Sequence, residues 1–529
     1  MDSYHLYEHG YKQLNSSQKS VVDECYDKKE CALALKMGFG KTIISLVLSF
    51  YMTQNNKLPI LVVCSKSLIS NWEDEIKKFF GNHINYGVIH PTLFNLDEWT
   101  IQYPLYLTTP EVVSKIYTKY KINNAFIVPE RASNGRLVNN YKRPTVYLKH
   151  KQGEGLFYST LWGSLIIDEA QFYTNINTFK CQALGALAAK RRWLLSGTMF
   201  EEPKINNILG YHILLNAPHK PRNRPETKQL LKKDFKGLNE HMIIRQDNNI
   251  TCLLRDQIIT HKLNQKEQTI YLLFKDILVA VQAEVKRAKA LGDQETYKKF
   301  RGYVLAMITY CRLSLICPTI AFKTIKKETS QLSIVINKHI KKLNLTCDEE
   351  SSRIKQINHC IEKHPHDKIL IFSCYASFIK IVSTLPKRDV FVLTSKMSIE
   401  QRGDCVKNFE QSTNGILLLT YELGSMGLNL QCASVVLLAD QYWNCSPACQ
   451  AMGRIWRQGQ KAKEIYVYFF TANTGLENII YEKQQAKKLI IDELKVGKQT
   501  TKIPKLKLED VIHMINVKDN QKILEDIYF

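Results

Sequence analysis

Lys41 and Thr42 follow directly on a glycine-bearing turn, Gly38-Phe39-Gly40, and that order of residue types suits the handling of a phosphate chain. Glycines let backbone N–H groups close around a triphosphate, and a helix opening at the turn adds a favourable dipole. The lysine can reach the β- and γ-phosphates and the threonine hydroxyl can ligate Mg²⁺. A strand-like apolar run over 32–35 enters the turn through Lys36 and Met37, and apolar residues at helical spacing leave it as far as Leu48. Such loops carry a further glycine five residues before Gly40, where Leu35 stands, so the loop alone leaves a plain strand-to-helix turn as the alternative.

Two further groups answer the loop. Asp168 and Glu169 stand at the carboxyl end of an apolar run over 165–167, the end at which open α/β sheets bind ligands. Paired acids there suit one Mg²⁺ ligand, Asp168, and one base or water-orienting group, Glu169. Arg454 and Arg457 are three residues apart, so on a helix they share a face and point at one anion. Taken singly, these are a solvated acidic turn and a basic surface helix; a phosphate loop on an earlier strand weakens the first alternative. Upstream, Gln18 offers an amide able to read an adenine edge, on a short helix capped by Asn15 or Ser16, although alone it reads as an exposed helix residue.

Parallel sheets are needed to position these groups. Apolar runs at 58–64 and 103–109 alternate with helical stretches before the acids, and 192–198 follows them, which means a doubly wound sheet. Residues 117–158, rich in Asn, Lys, Arg and Pro, break that rhythm and read as a rim insertion. From 262 to 345 the chain is Lys-rich with apolar residues at helical spacing, hence long helices with basic outer faces. A second sheet follows, with strands expected at 368–373, 390–393, 415–420, 434–439 and 464–470. The expected domains are therefore a first lobe over 1–240, a helical basic insertion over 241–365, a second lobe over 366–497, and a basic linker and tail over 498–529.

Composition bounds the function. With 529 residues and 45% apolar content the chain can bury several cores. Its 73 Lys and Arg against 50 Asp and Glu give +23, which favours a polyanionic partner, nucleic acid ahead of membrane. No apolar run nears the roughly 18 residues of a spanning helix, and residues 1–10 are polar, so an intracellular soluble protein with no membrane association is expected. Fourteen cysteines are scattered singly without paired Cys-x-x-Cys sets, which predicts reduced thiols, no zinc and no disulfides.

Six blocks occur in the order found in the SWI/SNF-type ATPases of helicase superfamily two, and the chain resembles that family over roughly residues 10–495. The blocks are 37–42, 168–171, 196–198, 427–431, 443–444 and 450–460, the last carrying the most specific run, GRIWRQGQ. The resemblance implies two RecA-like doubly wound α/β lobes with a helical insertion between them, and ATP with Mg²⁺ as cofactors. It gives Lys41 and Thr42 the phosphates and metal, Asp168 the metal, Glu169 the role of general base, and Arg454 and Arg457 that of arginine fingers. Gln18, Met37, Gly38, Phe39, Gly40, Gly427 and Gln450 are implied at the nucleotide, and Ser65, Lys66, Thr108, Thr109, Ser373, Thr420 and Trp443 at a DNA backbone. Leu35-Lys36, Gln171, Met199 and Ser425 depart from the family pattern without removing a catalytic group. In length and in its Asn, Lys, Ile and Tyr content the chain is also similar to the global transactivators of insect baculoviruses.

The implied activity is ATP-driven movement on duplex DNA that remodels or displaces bound proteins, nucleosome or polymerase among them, with a nuclear location. A strand-separating or annealing helicase is the rival within enzymes. A non-catalytic DNA-binding transcription cofactor is the rival outside them.

Overall fold

The computed structural model describes residues 3–35, 38–53, 58–89, 101–123, 156–197, 199, 205–215, 242–245, 252–346, 351–384, 388–424, 428, 430–442, 446–456 and 460–495. Their strands form two sheets, each in its own compact unit and each parallel throughout.

In the first unit the strands are β1 (Glu30–Leu35), β2 (Ile60–Val63), β3 (Tyr86–Val88), β4 (Leu105–Thr108), β5 (Trp162–Ile167), β6 (Ala189–Ser196) and β7 (Met242–Arg245), in the order β3-β4-β2-β5-β6-β1-β7. All six residues of β5 are buried, as expected of a central parallel strand covered on both faces. The helices are α1 (Ser3–Lys12), α2 (Ser16–Cys25), α3 (Lys41–Thr53), α4 (Ile69–Phe80), α5 (Pro110–Asn123), α6 (Leu156–Ser159), α7 (Phe179–Ala186) and α8 (Ile205–Leu215). One core cluster joins α2, α3 and α4 to one set of strand side chains, including Val22, Ile44 and Ile76, and a second joins α5 and α7 to the other set.

The expected rim insertion is shorter than its composition suggested. Residues 117–123 continue α5, and at the far end Phe157 and Tyr158 are core, with the Tyr158 hydroxyl donating to the carbonyls of Val113 at 3.2 Å and Ala183 at 3.1 Å. The stretch between, 124–155, lies outside the described residues.

The second sheet comprises β8 (Leu253–His261), β9 (Ile369–Ser373), β10 (Val390–Val392), β11 (Ile416–Thr420), β12 (Val435–Leu438) and β13 (Glu464–Ala472), in the order β10-β11-β9-β12-β13-β8. Its edge strand β8 comes from the span expected to be helical, and pairs with β13 from Leu253↔Glu464 to His261↔Ala472. Helices α9 (Gln265–Ala290), α10 (Gln294–Ile316), α11 (Pro318–Lys327) and α12 (Gln331–Lys342) follow, then α13 (Ser352–Lys363), α14 (Ala376–Val382), α15 (Ile399–Gln411), α16 (Tyr421–Gly424), α17 (Ser446–Met452) and α18 (Gly475–Lys495).

The four-helix stretch α9–α12 is no separate domain. Phe274, Met307 and Ile320 share one continuous core with Ile369, Ile371 and Phe470 of the second sheet. Buried polar bonds fasten the same region. Glu267 caps α9 in a capping box with Asn264 and also accepts the Ser352 backbone N–H at 2.7 Å. Arg353, fully buried, donates to Ala439 and Phe470 carbonyls at 2.8 and 3.0 Å and pairs with Glu477 at 2.7 Å. Among the described residues no helix is long and apolar enough to cross a membrane.

Candidate active site

In a parallel sheet every strand delivers its C-terminal residue to the same edge, and in the first unit that edge collects the chemistry. β1 leads toward the glycine turn, β2 into Ser65 and Lys66, β4 into Thr109, β5 into Asp168 and Glu169, and β6 into Gly197. Gly38 and Gly40 hold φ of +81° and +90°, the left-handed region that glycine enters at no steric cost. A Cβ on Gly40 would stand 2.4 Å from Nε2 of Gln18, so the turn is also a place of close approach. Lys41 opens α3, and its Nζ donates to the Leu35 carbonyl at 3.2 Å across the turn.

Gln18 is fixed at both ends of its amide. Its Oε1 accepts the Asn15 N–H at 3.0 Å as half of a capping box, which makes Asn15 the cap of α2, and its Nε2 donates to the Phe39 carbonyl at 2.8 Å. A helix cap therefore pins this side chain directly to the glycine turn.

Asp168 is buried, and each of its oxygens holds one donor: Oδ1 the Glu169 backbone N–H at 2.9 Å, Oδ2 the Trp72 indole N–H at 2.9 Å. Burial and then the neighbouring Glu169 charge push its pKa up to about 6 from 3.8, against the opposing pull of the Trp72 bond and the Lys41 charge. Glu169 itself takes a left-handed φ of +48°, and its carboxylate accepts the Gln171 side-chain N–H at 2.6 Å. A half-buried acid on a tight turn beside a buried one that feels the charge of a lysine at a helix start is a donor set that fits a divalent cation and a phosphate.

The residues expected at a nucleic-acid backbone divide by burial. Lys66 is exposed, and Ser65 and Thr420 are half-buried. Thr108 is wholly buried with its hydroxyl toward the Ile89 carbonyl at 3.4 Å, and Thr109 caps α5 through Val112. Ser373 is wholly buried too, donating to the Asp440 carboxylate, which also accepts the Cys374 N–H at 2.9 Å. Ser373 and Thr420 are nonetheless register partners at the ends of β9 and β11.

Arg454 is not on a helix. The helix α17 stops at Met452, just before Gly453, and Arg454 lies buried in the following turn with Nε donating to the Gly424 carbonyl at 2.8 Å. Gln450 is buried on α17. Met37, Thr198, Gly427, Trp443 and Arg457 lie outside the described residues. Nothing in the sequence assigns a role to Trp72, and Gln171 stands there only as a block member that departs from the family pattern. The one available signal for Trp72 was its spacing with Ile76 and Phe80 on a buried helix face.

Comparison with known proteins adds the family. A SNF2-related domain matches residues 12–291, and a helicase conserved C-terminal domain matches 352–459. The chain belongs to the SNF2-related family. It is an ATP-hydrolysing, helicase-like enzyme. The chain is 26% identical over 89% of its length to a helicase-named protein, 172L, of Invertebrate iridescent virus 6, covering 86% of that protein. It is also 26% identical over 88% of its length to a DNA repair and recombination protein RAD54-like of Drosophila pseudoobscura pseudoobscura, but spans only 61% of that relative. Among solved structures the Pyrococcus furiosus Hef helicase domain is similar in fold, with a TM-score of 0.52 at 13% identity, covering 90% of this chain and 98% of that one.

Proposed function

We propose that this SNF2-related enzyme is a DNA-dependent ATPase that moves along duplex DNA and remodels or displaces the proteins bound there. One observation carries the hydrolytic half: a left-handed glycine turn with Lys41 and a buried Asp168 beside Glu169 lie at one edge of one parallel sheet. Lys41 and Thr42 hold the phosphates, Thr42 and Asp168 hold the metal, Glu169 takes a proton from the attacking water, and Gln18 reads the adenine. Mg²⁺, when bound, neutralises the charge that builds on the phosphate oxygens during transfer. Arg454 and Arg457 act as the arginine fingers, a cationic stabilisation of a kind worth roughly 10³ to 10⁵ in rate.

The DNA half is supported by a net charge of +23, by exposed Lys66 beside half-buried Ser65, and by the DNA repair name of the RAD54-like relatives. Contacts to phosphates imply little sequence preference and steep salt dependence. The nucleus is the compartment this activity implies.

The test is ATP hydrolysis by the purified chain without nucleic acid, with single-stranded DNA and with duplex DNA, at two salt concentrations. Duplex stimulation that fades at higher salt is expected, with Lys41→Ala abolishing turnover while retaining salt-sensitive DNA binding. Triplex displacement without strand separation distinguishes translocation from unwinding. Absence of hydrolysis in every condition favours a non-catalytic DNA-binding cofactor.

A further inference from the structure

The Asp168 carboxylate is held from two sides. Its Oδ1 bond comes from its own neighbour, Glu169, but its Oδ2 bond comes from an indole 96 residues away in the chain. Trp72 sits on the first turn of α4, and that helix is fixed by Ile76 and Phe80, both fully buried one and two turns on. Phe80 in turn meets Phe50 of α3 edge-on, with ring centroids 5.1 Å apart. The helix that begins at Lys41 and the helix that carries the indole therefore share one core.

The general need of a buried indole for a partner does not explain this bond. Trp193 on β6 is equally buried and its Nε1 has no hydrogen-bond partner among the described residues, so burial alone does not secure an indole N–H a bond in this unit. The donor type matters as well. An indole N–H donates only and never ionises, so it orients a carboxylate while leaving the carboxylate's charge for a cation. A lysine or arginine in its place would compete with that cation.

We propose that Trp72 is a positioning residue for the hydrolytic site, holding the Asp168 carboxylate in the orientation that a divalent cation requires. The inference rests on Asp168 being the metal ligand. Outer partners of this kind carry about tenfold to a hundredfold in metal affinity or activity.

The test uses the full chain and two readouts, the Mg²⁺ concentration that half-saturates ATP hydrolysis and the binding of a fluorescent ADP with and without Mg²⁺. Trp72→Phe keeps ring bulk and removes the donor; Trp193→Phe is the matched control, losing an indole N–H with no partner among the described residues. For Trp72→Phe, half-saturating Mg²⁺ rises at least about tenfold and Mg²⁺-free ADP binding holds, so the gain in ADP affinity on adding Mg²⁺ shrinks. Trp193→Phe follows the wild type in both. Unchanged half-saturating Mg²⁺, or ADP binding weakened equally with and without Mg²⁺, overturns the proposal. Asp168→Asn separates the two layers, since Mg²⁺-dependent hydrolysis surviving in that variant refutes the metal-ligand assignment itself, whatever Trp72 does. If Trp72→Phe melts well below the wild type, Trp72→Met, which fills the site without a donor, is judged by the same criteria.

Discussion

Gln171 donates its side-chain N–H to the carboxylate of Glu169 at 2.6 Å, two residues along a turn in which Glu169 is left-handed. The opposite end of that amide, Oε1, is buried with no partner among the described residues, so the acid is what orients the side chain there. Where the family pattern has another residue, this chain uses a neutral donor to aim its expected general base. Trp72 treats Asp168 in the same way. Both acids are thus held by uncharged N–H groups that leave their charges available.

Loosening that aim should cost rate more than binding. Gln171→Ala is expected to lower kcat for ATP hydrolysis roughly tenfold while KM changes little, because a positioned base acts on the transition state. Gln171→Glu should be worse, since it sets a second carboxylate against the first. Steady-state kinetics checks both, and a KM effect with unchanged kcat contradicts the assignment of Glu169.

Asp168 links the site to stability. Its folded pKa, about 6, lies above the ordinary 3.8, so the folded chain holds this proton more tightly than the unfolded one. Its contribution to stability is then full below pH 3.8 and is lost as pH rises through about 6. At neutral pH the ionised, metal-free site is therefore destabilising. Asp168→Asn should raise metal-free stability at pH 8 and leave it unchanged near pH 4, while hydrolysis disappears. Denaturant melts of both proteins at the two pH values are the measurement.

How far these relations could be foreseen depends on how local they are. The glycine turn, the acid pair and most strands are written in contiguous residue types, and the apolar runs at β5 and β9 leave little choice of structure. Strand β8 was hidden because it is an edge: only His261 on it is buried, Leu253 and Ile258 are exposed, and its partner β13 lies over 200 residues on. Arg454 is expected on a helix, but the helix ends before Gly453 and leaves Arg454 in a turn, while Arg457 lies outside the described residues. The resemblance implies Ser373 and Thr108 at a DNA backbone, but in parallel sheets strand ends can be capped from within, here by Asp440 and the Ile89 carbonyl. The Trp72–Asp168 bond joins distant segments through one rotamer, and no pattern of residue types announces it.

Gly40 is legible and testable together. Its φ of +90° excludes most side chains, and a Cβ there would fall 2.4 Å from the Gln18 amide that bonds Phe39. Gly40→Ala is expected to cost about 1–3 kcal/mol locally and to weaken nucleotide binding at least about tenfold, with the rest of the fold intact. Titration with fluorescent ADP, alongside circular dichroism, measures it.

The second unit carries an opposite pH signature. Burial, and then the nearby Arg353 charge, hold His261 down to about 3 from 6.5. Arg353 is paired with Glu477 at 2.7 Å. A depressed pKa means stability present above pH 6.5 and lost as pH falls toward 3, by as much as a few kcal/mol. His261→Leu should flatten that acid limb in thermal melts between pH 4 and 7; an unchanged limb places the acid sensitivity elsewhere.

Ser373 and Lys66 make contrasting predictions about DNA. The Ser373 hydroxyl is wholly buried and donates to Asp440, which is 2% exposed. Ser373→Ala leaves a buried carboxylate with one donor fewer, at a cost of about 1–3 kcal/mol in stability, and removes nothing that faces a phosphate. Lys66 is exposed beside Ser65 at the carboxyl end of β2, so Lys66→Ala should leave stability near wild type. Instead it should weaken duplex binding and reduce the slope of log affinity against log salt by about one. Binding isotherms at three salt concentrations, paired with melts, separate the two. A salt slope lowered by Ser373→Ala would mean that this hydroxyl turns outward to DNA, and an unchanged slope for Lys66→Ala would remove the β2 edge from the DNA path.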